Sequence, residues 1–573
     1  MDIRKLTPFL SVSPQISESD LALASAQGFK SIISNRPDGE EVGQPSAAAM
    51  AEAAARNGLG FRHVPVVSGQ VTQDNVAAFA AALNEMEGPV LAFCRTGTRS
   101  ATLWALTQAG KHDADAILRT AKDAGYDLSG LRPRLGPADK PQAPAPASQH
   151  DVIIVGGGAG GLACAASLLK RRPGLDIAVI EPREEHYYQP GWTLVGGGVF
   201  NRARTEKPMR AVMPANVQWI RAAAAGFDPA HHQVVLEDGE RLAYRVLIVS
   251  PGLKLDWDKV QGLRETLGKN AVTSNYLFDL APYTWELVQN LKSGKAIFTQ
   301  PPMPIKCAGA PQKAMYLSAD HWRRTGRLGD IDIAFHNAGG VLFGVADYVP
   351  ALMRYVERYG AELNFNSNLV AVDGPARKAW FEEKDAEGQA NLVEVAFDML
   401  HICPPQTPLD FVKNSPLADG AGWVEVNPET LQHVRFGNVF GMGDGCSAPN
   451  AKTAAAVRKQ APVVAENALA ALDGKAPRAV YDGYGSCPLT VERGKVVLAE
   501  FGYGGKLLPT FPSWLLEGRR PTTFGWWLKA VFMPDIYWRV MLKGREWLAR
   551  PTILPHSPTP HEAADACQTQ PRK

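Results

Sequence analysis

Apolar positions along the chain follow two alternating patterns. Short, uninterrupted apolar runs such as Ser31-Ile32-Ile33-Ser34, Phe61-Arg62-His63-Val64-Pro65-Val66 and Pro89-Val90-Leu91-Ala92-Phe93 read as strands. Alanine-rich stretches at helical spacing, around 47–56 and 74–86, lie between them. Strands alternating with helices predict a parallel α/β sheet, here a small unit over residues 1–130. A Pro/Ala-rich stretch at 131–150 reads as a semi-extended linker. A larger unit follows at 151–515, then an aromatic and basic segment at 516–550, and a polar tail at 551–573 that reads as flexible.

Composition narrows the classes only a little. The chain has 573 residues, 45% of them hydrophobic and 21% charged, with a formal net charge of +2. That balance is ordinary for globular domains and gives no argument for nucleic-acid binding. The seven cysteines are sparse and lack metal-ligand spacing, so no metal is expected. The first residues are polar and read as no signal segment. No apolar run approaches the roughly 20 residues that span a bilayer.

The strongest local chemistry begins at Asp151. The apolar run Asp151-Val152-Ile153-Ile154-Val155 leads into Gly156-Gly157-Gly158-Ala159-Gly160-Gly161 and a helix-like stretch. Gly156, Gly158 and Gly161 fit the G-x-G-x-x-G spacing. A second strand ends in Glu181, twenty residues after Gly161. Glycines allow close approach of a pyrophosphate, the helix N-terminus stabilises it, and the carboxylate binds ribose hydroxyls. Two further segments favour FAD over NAD as the bound dinucleotide. One is the strand Val246–Val249 ending in Ser250-Pro251-Gly252; the other is Gly441-Met442-Gly443-Asp444.

A second dinucleotide loop is expected after the apolar run Ala296-Ile297-Phe298. Instead the chain reads Pro301-Pro302-Met303-Pro304-Ile305-Lys306-Cys307-Ala308-Gly309-Ala310-Pro311-Gln312-Lys313. The glycine pattern is missing and a thiol stands in the loop. A flavoprotein without a pyridine-nucleotide loop takes its electrons elsewhere, and Cys307 points to sulfur. Lys306 beside it would favour the thiolate. The alternative is an NAD(P)H-dependent flavoprotein, either a type 2 NADH dehydrogenase or a disulfide reductase, with a phosphatase-like or regulatory module.

In this order, these elements resemble the two-dinucleotide-binding flavoprotein disulfide reductases. Tyr188-Gln189-Pro190-Gly191-Trp192, the Pro304–Lys313 segment, Lys452-Thr453-Ala454 and Ser486-Cys487-Pro488 resemble the mitochondrial-type sulfide:quinone oxidoreductases. The resemblance implies tandem Rossmann-type domains, FAD and a redox-active cysteine pair, with sulfide as donor and a ubiquinone-type quinone as acceptor. It places Cys307 on the first family cysteine. Cys446 stands one residue beyond the family's G-D-C position, while the spacing from Asp444 to Lys452 is kept. The implied reaction is attack of sulfide on a Cys307–Cys446 disulfide, with electrons passing to FAD and sulfane sulfur leaving on a small thiol such as glutathione. Lys452 is implied to lie by the flavin, and Phe343, Tyr348, Pro404 and Pro405 on the quinone side. Cys164, Cys403 and Cys487 read as buried structure, and Cys567 as incidental.

The run from Phe524 to Leu548 crowds aromatic and aliphatic residues with Lys529, Arg539, Lys543 and Arg545. Pro534 and Gly544 are expected to break it into short helices. It reads as an amphipathic anchor on a membrane surface. That implies peripheral attachment to the cytoplasmic face of a bacterial inner membrane, with self-association as a homo-oligomer left open.

In the first unit, Phe93-Cys94-Arg95-Thr96-Gly97-Thr98-Arg99-Ser100 joins a strand to a helix. Backbone N–H groups, the helix dipole and two arginines would favour a Cys94 thiolate. The C-R-x-G-x-R spacing resembles the rhodanese loop. The unit as a whole, with Asn35-Arg36-Pro37-Asp38-Gly39-Glu40, resembles the phosphatase-fold beta-lactamase-hydrolase-like family. Cys94 and Arg99 are therefore expected to handle persulfide sulfur, with a phosphatase and a docking module as alternatives.

Overall fold

The computed structural model describes residues 1–7, 9–41, 43–109, 114–135, 148–384 and 388–555. Most of the Pro/Ala stretch, the tail from residue 556 and Cys567 lie outside them. The chain divides into two units, Met1–Ala145 and Pro146–Lys573. The segment at 516–550 belongs to the second.

The amino-terminal unit is built on the apolar runs legible in the sequence. Leu10–Ser13, Val90–Phe93, Ser31–Ser34 and Gly60–His63 pair in parallel in that order, and Arg4–Lys5 adds an antiparallel edge. The three inner strands are buried along their length, as expected of a sheet covered on both faces. The helices Ala47–Arg56 and Gln73–Glu85 start at Ser46 and Thr72, whose hydroxyls accept from backbone amides in the first turn.

The second unit is built on two larger sheets whose central strands pair in parallel. In the first, Ser148–Val155 lies between Ile177–Ile180 and Arg241–Val249, and Val439–Gly441 closes on Arg241–Val249. In the second, Gly294–Gln300 sits between Ile331–Asn337 and Met399–His401. Each of the two central strands feeds a loop and a helix, Ala159–Arg171 and Ala310–Arg324 respectively. That repetition places the candidate nucleotide loop and the Cys307 loop at the carboxyl ends of equivalent strands, where open α/β sheets bind ligands.

An antiparallel hairpin, Gly485–Glu492 with Lys495–Phe501, completes the site. Alternation along it separates two faces. Cys487, Leu489 and Val491 enter the same core as Met315 and Ala319 of the helix Ala310–Arg324. Val496 and Leu498 enter another core with Leu516 and Leu528. The hairpin therefore lies between that helix and the carboxyl-terminal segment.

That segment is a correction to the sequence reading. Pro534 does not break it: consecutive helical turns run from Thr523 to Lys543, two of them with π geometry. A π turn shifts the hydrogen-bond register, so the missing proline N–H is absorbed without a break. Gly544 does end the rod, at φ +63°. A Cβ there would stand 2.5 Å from the carbonyl oxygen of Ala166, on the helix Ala159–Arg171. Arg171 pairs with Glu546 across the same contact, and Ser167 donates to it at 2.6 Å. Gly544→Ala should cost about 2 kcal/mol or more through left-handed strain and backbone overlap. A lowered melting temperature and faster proteolysis near residue 544 check this; an unchanged melting curve would contradict the contact.

Candidate active site

The first loop is shaped for a pyrophosphate. A Cβ on Gly156 would stand 2.4 Å from the Ser250 carbonyl oxygen, and one on Gly161 would stand 1.9 Å from the Gly156 oxygen. A Cβ on Gly158 meets nothing within 4 Å. Two glycines thus allow the chain to fold on itself, while Gly158 opens the helix Ala159–Arg171 onto free space. Glu181 accepts from the Gly157 amide at 2.9 Å through one carboxylate oxygen and from the Arg183 amide through the other. Gly252, at φ +81°, also has open space where a side chain would be. Asp444 is half-buried, burial raises its carboxyl, and its carboxylate makes no protein hydrogen bond among the described residues. An open glycine helix terminus, an acid at the end of the second strand and an unpartnered carboxylate fit a dinucleotide with a polyhydroxylated chain.

The second loop is shaped for sulfur. Cys307 sits at φ +52°, a left-handed conformation that costs a non-glycine residue about 1–3 kcal/mol. Its amide donates to the Lys452 carbonyl at 2.9 Å, and its own carbonyl accepts from the Ala310 amide at 2.7 Å. These bonds hold the residue just ahead of the helix Ala310–Arg324, whose dipole favours an anion. Two groups meet its sulfur: Lys313 donates to it at 3.1 Å and the Cys487 sulfur stands 3.9 Å away. The Cys487 thiol first, and Lys313 with it, hold the Cys307 thiol well below the usual cysteine range, against the burial that opposes ionisation. Cys487 is driven the other way, well above that range, by Cys307 and by burial. The arrangement favours an anion on the Cys307 sulfur, with Lys313 and the Cys487 sulfur as its nearest partners.

Cys446 is not the sulfur that meets Cys307 here. Its thiol donates to the Gly443 carbonyl at 3.3 Å and is buried in the core of the nucleotide-binding sheet. Gly445, the residue directly after Asp444, ends a short 3-10 turn. Cys446 leaves that turn in an extended conformation, with φ −100° and ψ 162°. Lys306 does not touch the Cys307 sulfur either: its ammonium donates to the side chain of Gln189. Lys452 is held by the carbonyls of Asp444 and Cys446 at 2.7 and 3.0 Å, over the Trp423 ring.

The four residues assigned to the quinone side fall into two places. Phe343 and Tyr348 lie in the core shared with the hairpin, where Tyr348 donates to the Glu500 carbonyl at 3.0 Å. Pro404 and Pro405 follow Cys403, whose core is a different one. Cys403 is pushed up to about 12 by burial, and Cys164 likewise, as befits packing residues.

In the first unit, Cys94 follows the strand Val90–Phe93 and is fully buried. Gly97, at φ +83°, caps the helix Thr98–Thr107. Arg99 does not face this turn freely. It donates to the Val66 carbonyl and, at 2.8 Å, to Glu40, which Arg36 also binds. The hydroxyls of Tyr126 and Ser100 are buried without protein partners.

Three site residues escaped the sequence reading: Lys313, Cys487 and Lys529. Lys313 lies six residues after Cys307, in the first turns of the helix that the loop feeds. Cys487 stands inside a motif quoted for the resemblance. Lys529 is a buried lysine inside an aromatic run, donating to the Pro488 carbonyl at 2.9 Å and to the Thr490 hydroxyl at 2.6 Å. Burial first, and Lys313 next, lower it well below the ordinary lysine range.

Comparison with known proteins assigns the two units separately. Residues 2–111 match the beta-lactamase hydrolase-like protein, phosphatase-like domain family, and residues 150–290 match the pyridine nucleotide-disulphide oxidoreductase family. A beta-lactamase hydrolase-like protein of Agrobacterium fabrum is 40% identical over 121 residues, covering 21% of this chain and 28% of that relative. The solved sulfide:quinone oxidoreductase of Aquifex aeolicus shares the fold, with a TM-score of 0.58 at 19% identity, over 70% of this chain and 92% of that one. The mitochondrial sulfide:quinone oxidoreductase of Dictyostelium discoideum is 42% identical over 412 residues, spanning 71% of this chain and 89% of that relative. The chain therefore belongs to the sulfide:quinone oxidoreductase family, with a phosphatase-like domain ahead of it.

Proposed function

We propose that the second unit oxidises sulfide and delivers the electrons to a quinone, with Cys307 as the sulfur that meets the substrate. The observation carrying this reading is the Cys307 thiolate held by Lys313 at the strand end where a pyridine-nucleotide loop would otherwise lie. A nucleophilic sulfur at neutral pH is of no use to a hydride donor but suits thiol–disulfide chemistry. FAD, when bound, supplies the two-electron acceptor. Gly156, Gly158, Gly161, Glu181, Gly252 and Asp444 would hold it, and Lys452 would place a cation beside it.

The carboxyl-terminal rod supports a membrane-surface role. Phe524, Trp527, Val531 and Phe532 are exposed on it, and Trp514 is 83% exposed just before it. Scattered apolar residues need no explanation, but a contiguous aromatic face marks an interaction surface. No described helix is long and apolar enough to cross a membrane. An interfacial helical face therefore accounts for access to a lipid-soluble quinone.

For the first unit we infer persulfide handling at Cys94. Engagement of Arg99 by Glu40 supports this over phosphate transfer, because a neutralised guanidinium is poorly suited to clamp a dianion. The acceptor beyond Cys94 would be a small thiol such as glutathione.

Three outcomes are expected. Under argon, sulfide bleaches the flavin absorbance of the purified chain and NADH does not; bleaching by NADH alone would overturn the reading. Alkylation of Cys307 in the wild-type chain proceeds well below pH 8, because a depressed thiol stays ionised as pH falls. Lys313→Met removes a cation that lowers that thiol, so its alkylation profile should move to higher pH. An unchanged pH profile would remove Lys313 from the role. Finally, Cys94→Ser should abolish sulfur transfer from thiosulfate to cyanide, and retention of that transfer would return the first unit to a docking role.

A further inference from the structure

We propose that the carboxyl-terminal rod is part of the flavin site: Tyr537, acting through His186, aims the nucleotide loop at the pyrophosphate. Both act through the Gly157 carbonyl, so they are positioning residues. The inference concerns how the cofactor is retained and rests only on FAD occupying the glycine loop.

Two hydrogen bonds make the connection. His186 lies on the short strand Glu185–Tyr187, five residues after Glu181. Its Nδ1 stands 3.1 Å from the Gly157 carbonyl oxygen, and its Nε2 stands 2.6 Å from the Tyr537 hydroxyl. Both side chains are buried. Burial lowers the imidazole to about 4, so the ring is neutral and carries a single N–H. A carbonyl can only accept, which places that N–H on Nδ1 and leaves Nε2 to accept from the Tyr537 O–H. One tautomer satisfies both bonds.

The consequence falls on the loop. A trans peptide holds its C=O and N–H on opposite sides. Fixing the Gly157 carbonyl on His186 therefore points the Gly158 amide away from that ring. Gly158 is the residue that opens the helix Ala159–Arg171, and the space beside it is free. Amides at such a terminus bind phosphate oxygens. The preceding peptide is fixed as well, by the Gly157 amide on Glu181 at 2.9 Å. Glu181 thus orients the loop from within its own βαβ unit, and His186 orients it from the rod.

The rod is seated for this role. The Tyr537 ring lies 4.9 Å from the Tyr188 ring and meets Trp538 edge-on, also at 4.9 Å. Trp538 in turn meets the His186 ring edge-on at 5.7 Å and carries the Lys207 ammonium at 4.6 Å. Tyr537 and Trp538 share a π turn, Ile536–Val540, a geometry frequent at functional sites. Farther along, Gly544 and Glu546 abut the helix Ala159–Arg171 itself. The rod therefore holds both the loop and the helix that the loop feeds. Linkage is reciprocal: the seat of the rod sets FAD affinity, and bound FAD holds the rod.

The test uses the full-length FAD-loaded chain. Tyr537→Phe removes the O–H and keeps the ring. Release of FAD on dilution, followed by free-flavin fluorescence, should speed up by about tenfold, the scale of one lost buried hydrogen bond. The rise in melting temperature that FAD gives the stripped chain should shrink in the variant. A purely structural role would instead lower the stripped and loaded melting temperatures equally. In the wild type, amides of residues 533–543 should exchange about tenfold more slowly in the loaded chain than in the stripped one. That comparison needs no variant and decides the matter if Tyr537→Phe fails to fold. FAD release as slow in the variant as in the wild type, equal lowering of both melting temperatures, or rod exchange indifferent to FAD would overturn the proposal. A wild-type chain that retains no FAD would instead overturn the flavin reading of the loop.

Discussion

The contact on which the second unit's chemistry depends is the Lys313 ammonium on the Cys307 sulfur. A thiolate and an ammonium taken from water carry a desolvation cost of several kcal/mol each, recovered only when geometry and additional hydrogen bonds are good. The surroundings supply them. The Cys307 backbone is pinned on both sides, by Lys452 and by Ala310. Lys313 is fixed on a helix whose core face is filled by the hairpin. The Cys487 sulfur stands 3.9 Å from the Cys307 sulfur as its second partner. The left-handed strain at Cys307 is sustained because these neighbours over-determine it.

What could be read in the sequence was whatever local chain chemistry determines. The glycine loop at 156–161 and Glu181 are legible because strand, turn, helix and acid lie within one short βαβ unit. The parallel sheet of the first unit is legible for the same reason, since its strands are continuous apolar runs. The Cys307–Cys487 approach is not legible that way. The two residues are 180 apart in sequence, and their meeting depends on which face of a hairpin strand a side chain occupies. A resemblance by motif instead selects Cys446, the thiol nearest the family position. The direction in which that thiol leaves the 3-10 turn Gly443–Gly445 is not written in the spacing.

The carboxyl-terminal rod shows the same limit from the other side. Its composition signals an interfacial segment, and exposed Phe524, Trp527, Val531 and Phe532 agree with that. Its continuity across Pro534 was hidden, because π turns are rare and carry no simple sequence mark. Hidden with it was Lys529, which points inward from the rod and binds the hairpin strand on either side of Leu489.

Lys529 also bears on the charge balance of the sulfur site. Lys313 is the cation that touches the Cys307 sulfur, at 3.1 Å. A second buried cation has no anion of its own, so burial and the repulsion of Lys313 push Lys529 toward its neutral form. Cys307 and Cys487 act on it in the opposite sense, favouring its ammonium when they carry charge. Negative charge on either sulfur therefore favours the Lys529 ammonium. Lys529 is carried by the rod with the exposed aromatic residues, and it binds the hairpin strand that bears Cys487.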